Sequence, residues 1–268
     1  MSLKRVDGRL SMARSAFGSH DVKATKEAHK IGKIKASMES HQTGGSYVGD
    51  FVYGAMDGAV TTFAVVSGVA GAGLAPGIVI ILGFANLLGD GFSMAVGNYL
   101  STKSENEFIA QERKREEWEV EHYPKGEVAE VVEIYRKKGF TGRNLDAAVR
   151  TVTSDRKVWV DTMMLEELGL LEAKNSPLRK GITTFIAFVV VGFIPLASYA
   201  LSYVVEPVKA FAYELSLALT FVTFFLVGSA KIYVTGKNWF KSGLETLVIG
   251  SIAAGLAYAA GYLLRGVV

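Results

Sequence analysis

Five stretches of 19 to 25 residues are almost free of charge, and they constrain the fold of this chain more than any other feature of its sequence. Each is long enough to cross a hydrocarbon core of about 30 Å as a helix rising about 1.5 Å per residue. Lipid offers no hydrogen-bond partners, so a spanning segment has to satisfy its own backbone groups, as an α-helix does. Buried helices of soluble proteins seldom run uncharged for so long, which disfavours a large soluble fold. The stretches are 48–72, 77–101, 181–203, 210–230 and 246–264.

Charged residues are crowded before and between these stretches. They make up 21% of the 268 residues, a share close to that of soluble proteins. Residues 102–176 hold 13 Lys+Arg and 16 Asp+Glu, and the first 47 residues are basic. The sequence therefore predicts an all-α integral membrane protein of five transmembrane helices, with a helical domain inserted between helices 2 and 3. The predicted divisions are a tail (1–47), helices 1 and 2 (48–101), the insert (102–176) and helices 3 to 5 (177–268).

The Lys and Arg residues that flank the stretches predict the orientation, because short cytosolic loops are enriched in them. If the chain crosses five times, the tail, the insert and the fourth connection, which holds Lys231, Lys237 and Lys241, share one side. This side is predicted to be cytosolic, and the carboxyl terminus outside or luminal. The tail is expected to contain an amphipathic helix at the membrane surface. The short chain without a recognisable targeting segment favours a prokaryotic cell membrane over a vacuolar one.

Several classes of protein find no support in the sequence. It has no cysteine, which excludes disulfides, thiolate zinc sites and iron–sulfur clusters. A net charge of +3 is too small to indicate nucleic-acid binding. Because there is no Gly-rich phosphate loop, serine nucleophile elbow or zinc motif, neither an enzyme nor a protein with a prosthetic group is predicted.

The insert is predicted to form four helices with regularly placed acids. Their ranges are 105–122, 127–138, 144–154 and 159–171. The first two breaks contain Gly, with Pro in the first, and the third is a short polar link. Helical spacing predicts three groups of side chains, and the members of each group share one face of their own helix. The groups are Glu105, Glu112, Glu116 and Glu119 in the first helix, Glu127 and Glu130 in the second, and Met163, Met164 and Glu167 in the fourth. Two interpretations stay open at this point. One is a solvated face balanced by Lys and Arg; the other is a carboxylate cage for a divalent cation, in which Met sulfur favours softer transition metals.

Polar residues also lie inside the predicted spans, where a charge costs about 2.5–3.5 kcal/mol on insertion scales. Asp57 lies about ten residues into the first span, and Thr61 follows one turn later. Asn86, Asp90 and Met94 are spaced four residues apart in the second span, so an amide, a carboxylate and a thioether share one face. These five residues are predicted to line an ion path, against the alternative of hydrogen bonds that merely pack helices.

Two further acids and a set of glycines are interpreted differently. Asp50 lies near the cytosolic boundary and is interpreted as solvated. Glu214, alone in the fourth span, fits helix packing as well as function. Five glycines give the first span a smooth surface, which predicts a dimer contact there: Gly54, Gly58, Gly68, Gly71 and Gly73.

Two stretches of the chain resemble the vacuolar iron transporter family. One is AMDGAVTTFAVVSGVAGA at 55–72 in the first span, and the other is GFSMAVGNYLSTKSE at 91–105, which ends the second span. The ending with KSE is a long and specific motif. The resemblance extends from about Glu39 to the end of the chain, and the last three spans match mainly in hydropathy and length.

The resemblance implies a homodimer of five-helix subunits that exports Fe(II), and sometimes Mn(II) or other divalent ions, from the cytosol in exchange for protons. It implies that Asp57 is the first-span carboxylate of the ion path and Met94 the methionine beside it. It also implies a metal-binding insert, which is expected to bind Co(II) or Zn(II) as well. Its ligands would be Glu116, Glu119, Glu127, Glu130, Met163, Met164 and Glu167, and less directly Glu105.

One position departs from the plant members of that family, which carry a glutamate eight residues before the methionine. Here Asn86 stands at that position and Asp90 follows one turn later. Either Asp90 takes over metal or proton handling, or proton coupling or metal preference differs. Two other functions are open. One is a membrane-anchored storage or ferroxidase module, which would need Glu-x-x-His pairs beyond Glu119 and His122. The other is a membrane scaffold, which need not bury Asp57 and Asp90.

Overall fold

The computed structural model describes residues 8–30, 44–171, 175–230, 232 and 238–266, and these form helices and turns without a β-strand. The chain divides into two compact units, residues 1–48 and 49–268. The first contains α1 (Gly8–Gly18) and α2 (Val22–Ala28). Helix α2 starts where it does because Asp21 accepts hydrogen bonds from two backbone N–H groups of its first turn. The location of this tail at a membrane surface stays a prediction.

The remaining helices follow in the predicted order. They are α3 (Gly44–Ala72), α4 (Pro76–His122), α5 (Pro124–Lys137), α6 (Gly142–Thr153), α7 (Arg156–Glu166), α8 (Pro177–Ser202), a 3₁₀ helix (Glu206–Phe211), α9 (Ala212–Ala230) and α10 (Trp239–Leu264). Five are long and apolar enough to cross a membrane: α3, α4, α8, α9 with its preceding 3₁₀ helix, and α10. This confirms the five predicted spans. Lys231 and Lys237 of the fourth connection lie outside the described residues.

Glycines of α3 let its backbone touch two other spans. A Cβ atom at Gly54 or Gly58 would collide with the backbone of α8, and one at Gly71 with the backbone of α10. Small residues at such positions let helices approach closely in a membrane. These three glycines therefore serve packing within one chain, and the dimer contact of the first span stays a prediction. Gly73 instead ends α3 in a left-handed conformation (φ 70°).

Large apolar side chains fill the space between the spans. Phe63 of α3, Leu87 of α4 and Phe188 and Leu196 of α8 are almost wholly buried against one another. Helix α4 lies along α8, and α9 lies along α10. This packing fixes the rotation of α4 about its axis, and with it the direction of the polar face predicted for the second span.

Helix α4 continues without a break from the second span into the insert and is 47 residues long. Beyond the span it packs with α5, α6 and α7 around a separate hydrophobic core that includes Val131, Val160 and Met163. The first helix of the insert is thus the extension of a membrane span. Any ligand bound by this part of α4 is attached through continuous helix to the second span.

The last helix of the insert differs most from its predicted range of 159–171. It begins three residues earlier, because Asp155 accepts hydrogen bonds from backbone N–H groups of the first turn. It ends at Glu166, because Gly169 has a left-handed φ of 66° that an α-helix does not continue. Glu167 therefore lies at the end of α7 and not inside it.

Candidate functional site

A polar seam joins α3 and α4 within the spans. Asn86 donates a hydrogen bond from Nδ2 to Oγ1 of Thr61 (3.2 Å), and Thr61 donates one to the backbone carbonyl of Asp57 (2.8 Å). Asp90 is near enough to Asp57 for their carboxylates to repel each other. The side chains of Asp57, Thr61, Asn86 and Asp90 are half-buried, and we call these four residues the seam. The structure thus brings together the polar residues that were predicted separately in the first two spans.

Met94 lies one turn from Asp90 along α4, and its half-buried side chain packs against the core of the spans. A thioether close to carboxylates combines a soft ligand with hard ones, which suits a transition metal better than Mg²⁺ or Ca²⁺. Among the described residues, neither Asp57 nor Asp90 forms an ion pair. Within the described ranges no neighbouring side chain neutralises the negative charge of the seam, which therefore attracts cations.

A second polar group lies at the end of these helices that is closer to the insert. Asn98 of α4 donates hydrogen bonds from Nδ2 to Oδ1 of Asp50 (2.9 Å) and to Oγ1 of Thr184 (2.7 Å). Lys180 Nζ lies 3.8 Å from the same oxygen of Asp50. One amide thereby connects α3, α4 and α8 at the boundary of the spans.

The interpretation of Asp50 as a solvated residue was incomplete. Its side chain is only 11% exposed, and its second oxygen, Oδ2, is buried without accepting a hydrogen bond from the described residues. A sequence signal was present, because Asn98 continues the four-residue spacing of Asn86, Asp90 and Met94. The partner on α8 has no such signal, since it lies 86 residues further along the chain.

Two glutamates of the insert are buried and interact across α4 and α5. Glu116 and Glu127 are 1% and 5% exposed. Burial raises the pKa of Glu116 to about 7 in spite of the attraction of Arg115. Burial, with repulsion from Glu130, raises the pKa of Glu127 to about 7. These two carboxyl groups therefore titrate near neutral pH, where an ordinary exposed glutamate is already ionised.

Glu167 joins these residues from the end of α7. Burial, together with the nearby carboxyl group of Glu130, raises the pKa of Glu167. Glu119 adds a further repulsive charge to the group. We call the set Glu116, Glu119, Glu127, Glu130 and Glu167 the acidic cluster.

The other predicted ligands of the insert lie in different surroundings. Met163 and Met164 are buried with Trp159 and Val160 in the hydrophobic core of the insert. Hydrophobic packing therefore holds both thioethers. Glu105 is exposed on α4, about three turns closer to the second span than Glu116.

Arg115 is a cation that contacts the acidic cluster through Glu116 and Glu119. Its guanidinium nitrogens lie 3.0 Å from Glu112, 2.9 Å from Glu116 and 2.8 Å from Glu119. Neither carboxylate oxygen of Glu116 accepts a hydrogen bond of normal geometry from the described residues. Within the described part of the chain, no three acidic or histidine side chains are arranged to hold one metal ion as they stand. A divalent ion would therefore have to draw these carboxylates together and displace the guanidinium.

Five apolar spans, a seam of unpaired carboxylates and an acidic insert define a multi-pass membrane protein suited to handling cations. Residues 48–262 match the VIT family. The chain is 35% identical to a vacuolar iron transporter of Toxoplasma gondii, over 97% of this chain and 89% of that protein. It is 36% identical to vacuolar iron transporter 1 of Arabidopsis thaliana, over 87% and 92% of the two chains. The chain belongs to the VIT family, and is a metal-ion transporter by that relationship.

Proposed function

We propose that this protein exports Fe(II) from the cytosol in exchange for protons, for iron detoxification or storage. The observation that carries the proposal is the seam, where Asp57 and Asp90 lie half-buried on adjacent spans close to Met94. Both relatives described above are named as vacuolar iron transporters, which supports iron as the substrate. Mn(II), Co(II) and Zn(II) are proposed as further substrates, since oxygen and sulfur ligands accept several first-row divalent ions.

The exchange follows from the charge of the seam. Asp57 and Asp90 repel each other, so either a divalent ion or a proton between them lowers the electrostatic energy. Metal and protons therefore compete for the same oxygens, and binding of one releases the other. Asp50, with its free oxygen at the insert end of α3, would be the first carboxylate of the spans that an ion meets from that side.

The acidic cluster is proposed to collect the ion before it enters the spans. Its carboxylates would supply hard ligands, and Met163 and Met164 would add sulfur if the core around them opens. Glu105, exposed on α4 between the cluster and the spans, would guide the ion toward the seam. Arg115 would be displaced, because its positive charge and that of the metal repel each other.

The amino-terminal tail and the insert are proposed to be cytosolic, the carboxyl terminus outside or luminal, and the protein a homodimer. Lys and Arg near the span ends support the orientation. Residence in a prokaryotic cell membrane stays a prediction from the sequence, since the relatives are named vacuolar. A ferroxidase site gains no support, because the ring of His122 stacks on Trp118 at 4.4 Å and its Nδ1 faces the Trp118 carbonyl.

Fe(II)-dependent proton flux in liposomes containing only this protein tests the proposal. A trapped pH-sensitive dye reports proton movement, and a trapped chelator reports Fe(II) that has crossed the membrane. We expect both signals only when protein and Fe(II) are present, with faster metal uptake when the lumen is acidic. If an external chelator removes all of the iron, the iron has not entered the lumen, and this result would favour a storage module. Iron uptake without proton movement would contradict the exchange mechanism.

A further inference from the structure

An apolar groove of about 340 Å³ lies between α4 and α8. It is lined by eight residues, and the hydroxyl of Tyr99 is the only polar side-chain group among them. Phe92, Val96 and Tyr99 contribute from α4, and Gly181, Ile182 and Phe185 from α8. The groove exists because Gly181 lacks a side chain where the helices approach: a Cβ there would lie 2.8 Å from the backbone oxygen of Ala95.

The groove is separate from the candidate ion path. At 100° per residue, Phe92 and Val96 each project about 160° around α4 from Met94. Both are exposed, whereas Met94 is half-buried toward the core of the spans. One side of α4 therefore carries the polar seam and the opposite side carries the apolar groove. A hydrated ion has no ligands in the groove, but a hydrocarbon chain finds a matching surface there.

Two cations stand at the end of the groove that is closer to the insert. Lys103 follows Tyr99 by one turn on α4, and Arg179 precedes Ile182 by one turn on α8. Both side chains are exposed. Lys103 has an ion pair at 3.7 Å with Glu107, which is exposed as well, so water weakens it. The guanidinium of Arg179 forms no ion pair within the described ranges, which stop at 171 and resume at 175 before α8.

We propose that this groove binds one phospholipid with an anionic headgroup. An acyl chain lies along the apolar walls, and the headgroup lies between Lys103 and Arg179 at the membrane boundary. Long cationic side chains keep their stems on apolar surface while their charges reach the headgroups. Basic residues at a membrane surface attract anionic lipids, and a zwitterionic lipid with the same chains lacks the net charge that they attract. The binding site does not depend on which ion the seam carries.

The proposal is tested by measuring which lipids the full-length protein retains in detergent. Phosphatidylglycerol is the anionic probe, and phosphatidylcholine with the same acyl chains is the neutral one. Native mass spectrometry counts the lipids that stay bound. We expect one phosphatidylglycerol to be retained in preference to phosphatidylcholine. Lys103→Gln and Arg179→Gln should each lower this preference about fivefold. Lys209→Gln, which removes an exposed cation between α8 and α9, is the matched control and should leave it unchanged.

Ala95→Phe provides an independent variant, because it fills the groove without changing charge. It should lower the retention of both lipids while thermal unfolding shows that the protein is still folded. Equal retention of the two lipids by the wild type would overturn the proposal, as would an unchanged preference in both charge variants. The chain has no cysteine, so Val96→Cys introduces a single thiol. Efficient disulfide formation between two copies at that thiol would show that a second copy covers the groove, and would also overturn the proposal.

Discussion

Asp57 and Glu214 are both carboxylates of membrane spans, but their surroundings differ. Asp57 is half-buried opposite Asp90, whereas Glu214 is exposed on α9. Asp57→Ala removes an ion ligand from the seam, so Fe(II) uptake into proteoliposomes should fall to the level of protein-free liposomes. Glu214→Gln, the matched control, should keep a rate close to that of the wild type. Size-exclusion chromatography checks that both variants are intact, and normal uptake by Asp57→Ala would contradict the assigned role.

Asp90 and Met94 lie one turn apart, and their substitutions should separate proton transfer from metal transfer. Asp90→Asn keeps the size and hydrogen-bonding capacity of the side chain but cannot bind or release a proton. Transport by this variant, measured from about pH 5.5 to about pH 8, should lose its pH dependence. Met94→Leu removes only the sulfur, so it should reduce Fe(II) and Co(II) transport more than proton movement. If Asp90→Asn retains the pH dependence of the wild type, Asp90 is a packing residue and Asp57 serves both ions.

The buried glutamates of the insert predict an effect of pH on the stability of the metal-free protein. Burial raises the pKa of Glu116 and Glu127 to about 7 in the folded protein, from an ordinary value of 4.5. As the pH rises between these values, the unfolded chain loses its protons while the folded protein keeps them, so stability falls. Thermal unfolding followed by tryptophan fluorescence should give a lower Tm at about pH 7.5 than at about pH 5.5.

Glu127→Gln provides the comparison for this pH effect. Its amide cannot ionise, so the difference in Tm between the two pH values should be smaller than in the wild type. Added Fe(II) or Mn(II) should restore stability at the higher pH, because an ion that binds the folded state stabilises it. An equal difference in Tm for both proteins would mean that other groups cause it.

At the scale of elements, one amide connects three helices at the insert end of the spans. Asn98→Leu keeps the side-chain size but removes the hydrogen bonds to Asp50 and Thr184. It should lower the free energy of unfolding by about 1–2 kcal/mol. Asn106→Leu, which removes a hydrogen bond to the backbone oxygen of Asn175 outside the spans, is the control and should cost less. Thermal unfolding in lipid nanodiscs measures both, and equal losses would contradict a special role of the buried position.

Local patterns predicted the elements well and the contacts between distant elements poorly. The spans and the shared face of Asn86, Asp90 and Met94 follow from apolar length and a four-residue spacing, which a helix imposes wherever it lies. The contact of Asn98 with Thr184 depends on how α8 packs beside α4, and no spacing encodes that. The contacts of Arg115 are local by contrast, since Glu112 lies three residues before it and Glu119 four residues after it on α4, a spacing that a helix brings together.

At the scale of the whole molecule, the insert is predicted to collect the ion and the spans to carry it across the membrane. Replacing four glutamates of the acidic cluster by glutamine should raise the Fe(II) concentration for half-maximal transport at least about tenfold, as the loss of metal-site partners does. The maximal rate should change little, because the seam is intact. The four are Glu116, Glu119, Glu127 and Glu130.

Four acids outside the cluster provide a control in which the same number of carboxyl groups is replaced by amides: Glu107, Glu117, Glu121 and Asp146. This variant should keep the half-maximal concentration of the wild type in the same proteoliposome assay. If both quadruple variants behave alike, the insert attracts cations by net charge and has no specific site.

The unbroken helix α4 has a mechanical consequence. At about 1.5 Å per residue its 47 residues form a rod about 70 Å long, and from Asn98 to His122 the rod contains neither Gly nor Pro. Met94 and Glu116 lie about 33 Å apart along it but only about 40° apart around it. Because packing against α8 fixes this helix about its axis, the faces that carry Glu116 in the insert and Met94 in the membrane are held at one set angle to each other. In the proposed transport, the residues that would collect the ion and those that would pass it on therefore share one angular coordinate.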